Sequence, residues 1–281
     1  MSVRIVSDSY GKSKVRLMKV ERHGDTHNLQ NINVKIALEG DFSDIHVTGD
    51  NAKCLPTDTM KNTVYALAAQ TEEIEEIECF GLRLARHFLS ENEQVSRVLI
   101  DIIEHKYTRI PMDGQPHEHA FTKSGGEKRT TSVRATRDGE SVESGLEDLT
   151  VIKTTKSGFE GFVKDKYTFL PETADRIFCT SVKANWRYLN CEAATEELWN
   201  GVRSTILETF ATHDSLSVQH TLYAMGEAVL AKHPDVTEIA FSLPNIHCLP
   251  VDVTRFGEKE QHAIFLPTEE PHGLIEARIS R

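Results

Sequence analysis

The chain has 281 residues, of which 39% are hydrophobic and 27% charged, enough apolar material for a sizeable core and too much for disorder to be its main state. Its 32 Lys and Arg against 43 Asp and Glu leave a formal net charge of -11 with no basic run to offset it, which argues against holding nucleic acid by counterion release. No uncharged apolar stretch approaches the ~20 residues of a membrane span, so no membrane association is expected. No apolar signal region follows Arg4 and Asp8, five scattered cysteines lack C-x-x-C spacing, and Ile279-Ser280-Arg281 does not complete a peroxisomal tripeptide; the expectation is a cytoplasmic protein with reduced thiols.

In chain order, Ile32, Val34, Ile36 and Leu38 alternate with polar residues before Gly40-Asp41, the period of a half-buried strand, and Val15 to Glu21 is its expected partner. The period changes after Thr57-Asp58, where Met60, Val64 and Leu67 fall at helical spacing. A second helix is expected from about Glu72, with Ile74, Ile77, Leu84 and Phe88 on one face, followed by strands at Val95 to Tyr107 and Arg129 to Arg137. The order then repeats. Leu149 to Thr155 and the alternation Val182, Ala184, Trp186, Tyr188 predict strands. Leu198, Val202 and Ile206, then Val218, Leu222, Met225 and Val229, predict helices, the second stopped by Pro234. Val236 to Ser242 and His262 to Leu266 return to strand. Two ββααββ halves of ~140 residues predict an α+β protein built by duplication, with domains at 1–140 and 141–281 divided in the charged, Gly/Ser-containing stretch Asp138 to Glu147. Antiparallel sheets with open edges also call for closure against further copies of the chain.

Most familiar chemical motifs fail. Gly11-Lys12-Ser13 lacks the earlier glycine of a phosphate loop, and Gly125-Gly126 reads as a turn with no helix behind it. His117-x-His119, near His105 and Glu118, offers two metal ligands but no third at ligand spacing, so it reads as a hydrogen-bonded pair. No nucleophile elbow is present.

Three polar segments stand out at element boundaries: Tyr10-Gly11-Lys12-Ser13-Lys14-Val15-Arg16, Pro56-Thr57-Asp58-Thr59-Met60-Lys61-Asn62-Thr63 and Leu243-Pro244-Asn245-Ile246-His247. With Gly158-Phe159-Glu160-Gly161-Phe162, Leu170-Pro171-Glu172-Thr173-Ala174-Asp175-Arg176, Ser217-Val218-Gln219 and Gly273-Leu274-Ile275, they resemble, in order and over almost the whole chain, the signature segments of the urate oxidase (uricase) family. Pro56 stands where that pattern usually has alanine. The resemblance implies a tandem tunnelling fold (T-fold) whose sheets close into a barrel in a homotetramer, with active sites at subunit interfaces. It implies oxidation of urate by dioxygen to 5-hydroxyisourate and hydrogen peroxide, with no metal and no other cofactor.

It also implies residue roles. Phe159 stacks on the purine, and Arg176 clamps its pyrimidine edge with a planar fork. Gln219 and the Val218 N–H meet the amide edge, while the Thr57 and Asp58 N–H groups meet the five-membered edge. Lys12, Thr57 and His247 form the proton relay, and Asn245 holds dioxygen. Two alternatives stay open here: a zinc-dependent T-fold purine or pterin hydrolase using His105, His117 and His119, and a catalytically silent purine-binding paralogue.

Overall fold

A computed structural model of the chain describes residues 3–259 and 263–281. The chain divides into two compact units, residues 1–145 with 190–196, and residues 146–189 with 197–281. Among the described residues no helix is long and apolar enough to cross a membrane.

The first unit begins with β1 (Tyr10–His23) and β2 (Thr26–Gly40) and continues through a short α1 (Ser43–Val47) to α2 (Thr57–Ala69) and α3 (Ile77–Glu91). It then forms β3 (Val95–Met112), β4 (Gln115–Thr136) and the start of β5 (Gly139–Lys153). Neighbouring strands follow chain order, and β1–β2, β2–β3 and β3–β4 pair antiparallel. Ile32, Val34, Ile36 and Leu38 are all buried, as their alternation requires. On β3, Val98, Ile100 and Ile102 are directly paired with β2 residues and share its buried face. Met60, Val64 and Leu67 of α2, and Ile77, Phe80, Leu84 and Phe88 of α3, complete this core. Gly81 permits α3 to approach the sheet, since a Cβ there would lie 2.8 Å from the Val133 side chain.

The second unit takes the end of β5, then β6 (Phe178–Tyr188), α4 (Glu196–Thr212), α5 (Val218–Lys232), β7 (Val236–Pro250) and β8 (Phe265–Ser280). The β6–β7 and β7–β8 pairs are antiparallel. Val182, Ala184 and Trp186 of β6 join Ile239, Phe241 and Leu243 of β7 beneath Trp199, Val202, Ile206, Leu222, Met225 and Val229 of the helices. The two ββααββ orders of a mixed α+β fold are thus present.

Four local expectations change. The second helix starts at Ile77 rather than near Glu72, because Glu76 is extended and the Lys19 ammonium captures the Thr71 carbonyl at 2.9 Å while Gln30 captures that of Glu75 at 2.9 Å. Ile74 therefore lies before the helix. Residues 139–147 already belong to the strand expected from Leu149, with Val142, Ser144 and Leu146 buried, and the units divide after Gly145 inside β5, within the stretch Asp138 to Glu147. Gly125-Gly126 is no free turn: it lies within β4, at the irregularity where the β3–β4 register jumps between His105 and Tyr107. The last strand begins at Phe265; His262, expected at its start, lies outside the described residues.

Candidate active site

The expected site residues are divided between the two units, Lys12, Thr57 and Asp58 in the first and the others in the second. In the second unit, the segment after β5 is bound on both sides. Phe159 exchanges backbone hydrogen bonds with Thr173 (2.7 and 3.1 Å), and the Arg176 N–H donates to the Ser157 carbonyl (2.7 Å). Gly158 is required at this crossing, because a Cβ would stand 2.8 Å from the Ala174 carbonyl oxygen.

These bonds set the Arg176 guanidinium carbon 5.4 Å from the centroid of the Phe159 ring. Arg176 is half-buried, and burial pulls its pKa downward. Among the described residues no carboxylate is paired with it. The adjacent Asp175 is already used: its carboxylate accepts from the Thr155 hydroxyl (2.6 Å) and the Ser157 N–H (3.2 Å), which hold it below the usual carboxylate range. A half-buried guanidinium without a counter-ion beside an aromatic face suits a planar anion. Phe162 stacks on Phe159 at 4.8 Å and 12°, so one face of that ring is occupied and a ligand must use the other.

Val218 and Gln219 form the first turn of α5, Val218 buried and Gln219 exposed. The Ser217 hydroxyl caps the helix by accepting from the His220 N–H (3.1 Å), while the Thr221 N–H takes the Ser217 carbonyl (3.2 Å). The Val218 and Gln219 N–H groups have no intrahelical acceptor. This helix start is tied to the Phe159 segment by the bonds Gly158 N–H to Ser215 carbonyl (2.8 Å) and Ser215 N–H to Lys156 carbonyl (2.9 Å). Asn245 and His247 lie two residues apart on β7, both half-buried, with Asn245 opposite Thr180 of β6.

In the first unit, Lys12 sits half-buried on β1, directly after Gly11, where a Cβ would collide with the Ile36 carbonyl at 1.8 Å. The register of β1 breaks between Lys12 and Val15, with Lys14 left-handed at φ 58°. Thr57 and Asp58 open α2 behind Pro56. The Tyr10 hydroxyl accepts from the Leu55 N–H (2.8 Å) and its ring meets Phe42 edge-on at 4.8 Å, tying the start of β1 to the approach to α2. Burial pushes the Tyr10 pKa up to about 12, so it remains a phenol. No hydrogen bond joins Lys12 to Thr57 among the described residues. The Asp58 carboxylate is engaged by Lys61 (2.5 Å) and Asn62 (2.9 Å), and these, with a smaller contribution from Lys12, lower its pKa. The free feature of Asp58 is its backbone N–H.

The supporting residues Tyr10, Asp175, Ser215 and Thr221 escaped the sequence reading. Only Tyr10 and Asp175 carried a signal, since each lies inside a signature segment. The His117 and His119 rings meet edge to face at 4.6 Å, and the His117 Nδ1 accepts from the His119 and Ala120 N–H groups (3.2 and 3.1 Å). His105 meets Arg16 and Asn33 instead (3.0 and 3.2 Å). Among the described residues no group of three or more His, Cys, Asp or Glu is arranged to hold a metal ion.

The architecture and this arginine define a class: a duplicated ββααββ protein whose second half holds a half-buried guanidinium beside an aromatic ring. The family model for uricase matches residues 8–134 and 142–276. A uricase of Arthrobacter globiformis is 42% identical over 98% of this chain and 89% of its own length. One from Dictyostelium discoideum is 38% identical over 99% and 97%. The crystal structure of uricase from Arthrobacter globiformis superposes with a TM-score of 0.94 at 40% identity, covering 100% of this chain and 96% of that one. The chain belongs to the uricase family.

Proposed function

We infer that this chain oxidises urate: urate, dioxygen and one water give 5-hydroxyisourate and hydrogen peroxide, two electrons passing from the purine to oxygen. The observation that carries the reading, beside family membership, is Arg176, half-buried at 5.4 Å from the Phe159 centroid with no carboxylate among the described residues paired to it. In this reading Phe159 stacks on the purine and Arg176 grips its pyrimidine edge through two N–H donors. Gln219 and the Val218 N–H satisfy the amide edge, and the Thr57 and Asp58 N–H groups, at the positive end of α2, receive the five-membered edge.

Lys12 polarises the Thr57 hydroxyl, which takes the proton from urate or water, and His247 completes the relay. Asn245 holds dioxygen and then water over the ring. Urate dianion is itself the reductant, so the reading gives no electron-transfer role to a resident cofactor; the protein supplies position and charge. Two T-fold domains, 1–140 and 141–281, close into a barrel in a homotetramer, and each pocket takes Lys12, Thr57 and Asp58 from one subunit and the remaining groups from another. The five cysteines, all free, suit a reducing cytoplasm.

The test is loss of urate absorbance in air-equilibrated buffer after exhaustive chelation, with one peroxide formed per urate. Activity that vanishes with chelator and returns with zinc or copper overturns the cofactor-free reading.

A further inference from the structure

Behind the start of α5 lies a run of hydroxyls with no solvent access: Ser215 and Thr221 are both 0% exposed. The Thr221 hydroxyl bonds the Ser215 hydroxyl at 2.7 Å, the Ser215 hydroxyl bonds the Ser217 carbonyl at 3.0 Å, and the His213 Nδ1 bonds the Thr221 hydroxyl at 3.1 Å. A carbonyl only accepts, and each hydroxyl has one proton to give. Ser215 must therefore donate to Ser217, Thr221 to Ser215, and the His213 Nδ1–H to Thr221. The run has a single direction, ending on one peptide group.

That peptide matters because it is shared. The Ser217 carbonyl and the Val218 N–H belong to the same planar, trans unit, so an anchor on the oxygen sets the direction of the N–H on the opposite side. The helical bond from the Thr221 N–H also reaches this oxygen at 3.2 Å, and the Ser215 hydroxyl supplies its second anchor. Ser215 further holds the Phe159 segment through its own N–H and carbonyl. One buried serine thus links the aromatic platform to the helix start.

We propose that Ser215, backed by Thr221 and His213, is a positioning residue that aims the Val218 N–H at the substrate. The proposal rests on the urate reading of this site. Preformed donor geometry lowers the cost of binding, whereas a peptide free to rock must be ordered each time ligand arrives. The hydroxyls touch no substrate. Their effect belongs to binding rather than to the chemical step, so saturating urate hides it.

The experiment compares Ser215→Ala, Thr221→Val and Thr221→Ser in the full-length protein, with urate as probe. Urate Kd is measured without oxygen, kcat and KM in air, and the Ser217–Val218 peptide orientation by crystallography. Loss of one ordering hydrogen bond corresponds to roughly a three- to tenfold weaker Kd for Ser215→Ala and Thr221→Val. Their kcat at saturation should stay within about twofold of the parent, Thr221→Ser should restore the parent Kd, and the peptide should rotate in Ser215→Ala. An unmoved peptide, or a Kd unchanged in both hydroxyl-deleted variants, overturns the proposal. So does a Kd loss that Thr221→Ser leaves unrepaired, since packing volume is then the cause. If the parent itself neither binds nor oxidises urate, the functional reading has failed, and the crystallographic arm still decides whether Ser215 holds the peptide.

Discussion

Arg176 and Lys12 are both basic side chains near element boundaries, and their surroundings separate their roles. Arg176 is half-buried beside an aromatic ring with its neighbour Asp175 bonded elsewhere, and among the described residues no carboxylate pairs with its fork. Arg176→Lys keeps the charge and loses bidentate geometry; urate Kd should rise about tenfold to a hundredfold, and an unchanged Kd removes Arg176 from the substrate. If Lys12 and Thr57 form the proposed proton relay, steady-state kinetics of Lys12→Met and Thr57→Ala should show kcat lower by about 10²- to 10⁴-fold with a smaller change in KM. A normal kcat with a raised KM would take Lys12 out of the relay. Gly158→Ala tests the scaffold: its Cβ meets the Ala174 carbonyl at 2.8 Å, so the Phe159 segment must move and KM should rise while both contact side chains remain.

At the level of elements, α4 and α5 meet through a histidine. His233 follows the end of α5, and its Nε2 lies 3.0 Å from the Thr205 hydroxyl, which donates to the Gly201 carbonyl at 2.9 Å, so the ring must be the donor. Burial, the largest cause, lowers the His233 pKa, and the same holds for His213. A depressed folded-state pKa means that the unfolded chain takes up protons first. The stabilisation is present above the unfolded value of ~6.5 and is lost as pH falls through the lower folded value. Melting temperature should therefore decline between pH 7 and pH 5, and His233→Gln, which retains an N–H donor, should flatten part of that slope. An identical slope in the variant counts against this assignment. Gly201 has its own requirement, because a Cβ would come within 2.8 Å of the His233 ring. Gly201→Ala should cost about 1–3 kcal/mol in denaturant unfolding by overpacking.

For the whole molecule, the expected site residues fall into two sets, Lys12, Thr57 and Asp58 in the first unit and Phe159, Arg176, Val218, Gln219, Asn245 and His247 in the second. If each pocket takes one set from each of two subunits, inactive Lys12→Ala and Arg176→Ala chains should complement when denatured together and reassembled. An intact pocket needs its first set from the Arg176→Ala chain and its second from the Lys12→Ala chain, about a quarter of sites under symmetric pairing. Zero activity from properly reassembled oligomers defeats the shared pocket. The sequence alone determined the order of elements, because alternation at Ile32 to Leu38 and helical spacing at Met60, Val64 and Leu67 are local consequences of which face is buried. It also carried the family, as short segments of unusual polarity in a specific order. Tertiary structure decided what local pattern does not encode. The start of α3 depends on Lys19, 52 residues before the Thr71 carbonyl it captures, and the strand at 139–147 depends on pairing that outweighs its loop-like composition. The run from His213 through Thr221 and Ser215 to the Ser217 carbonyl follows the same rule: Thr221 and Ser215 are ordinary polar residues until the fold seals their hydroxyls from water and the run gives each hydroxyl one partner to which it donates.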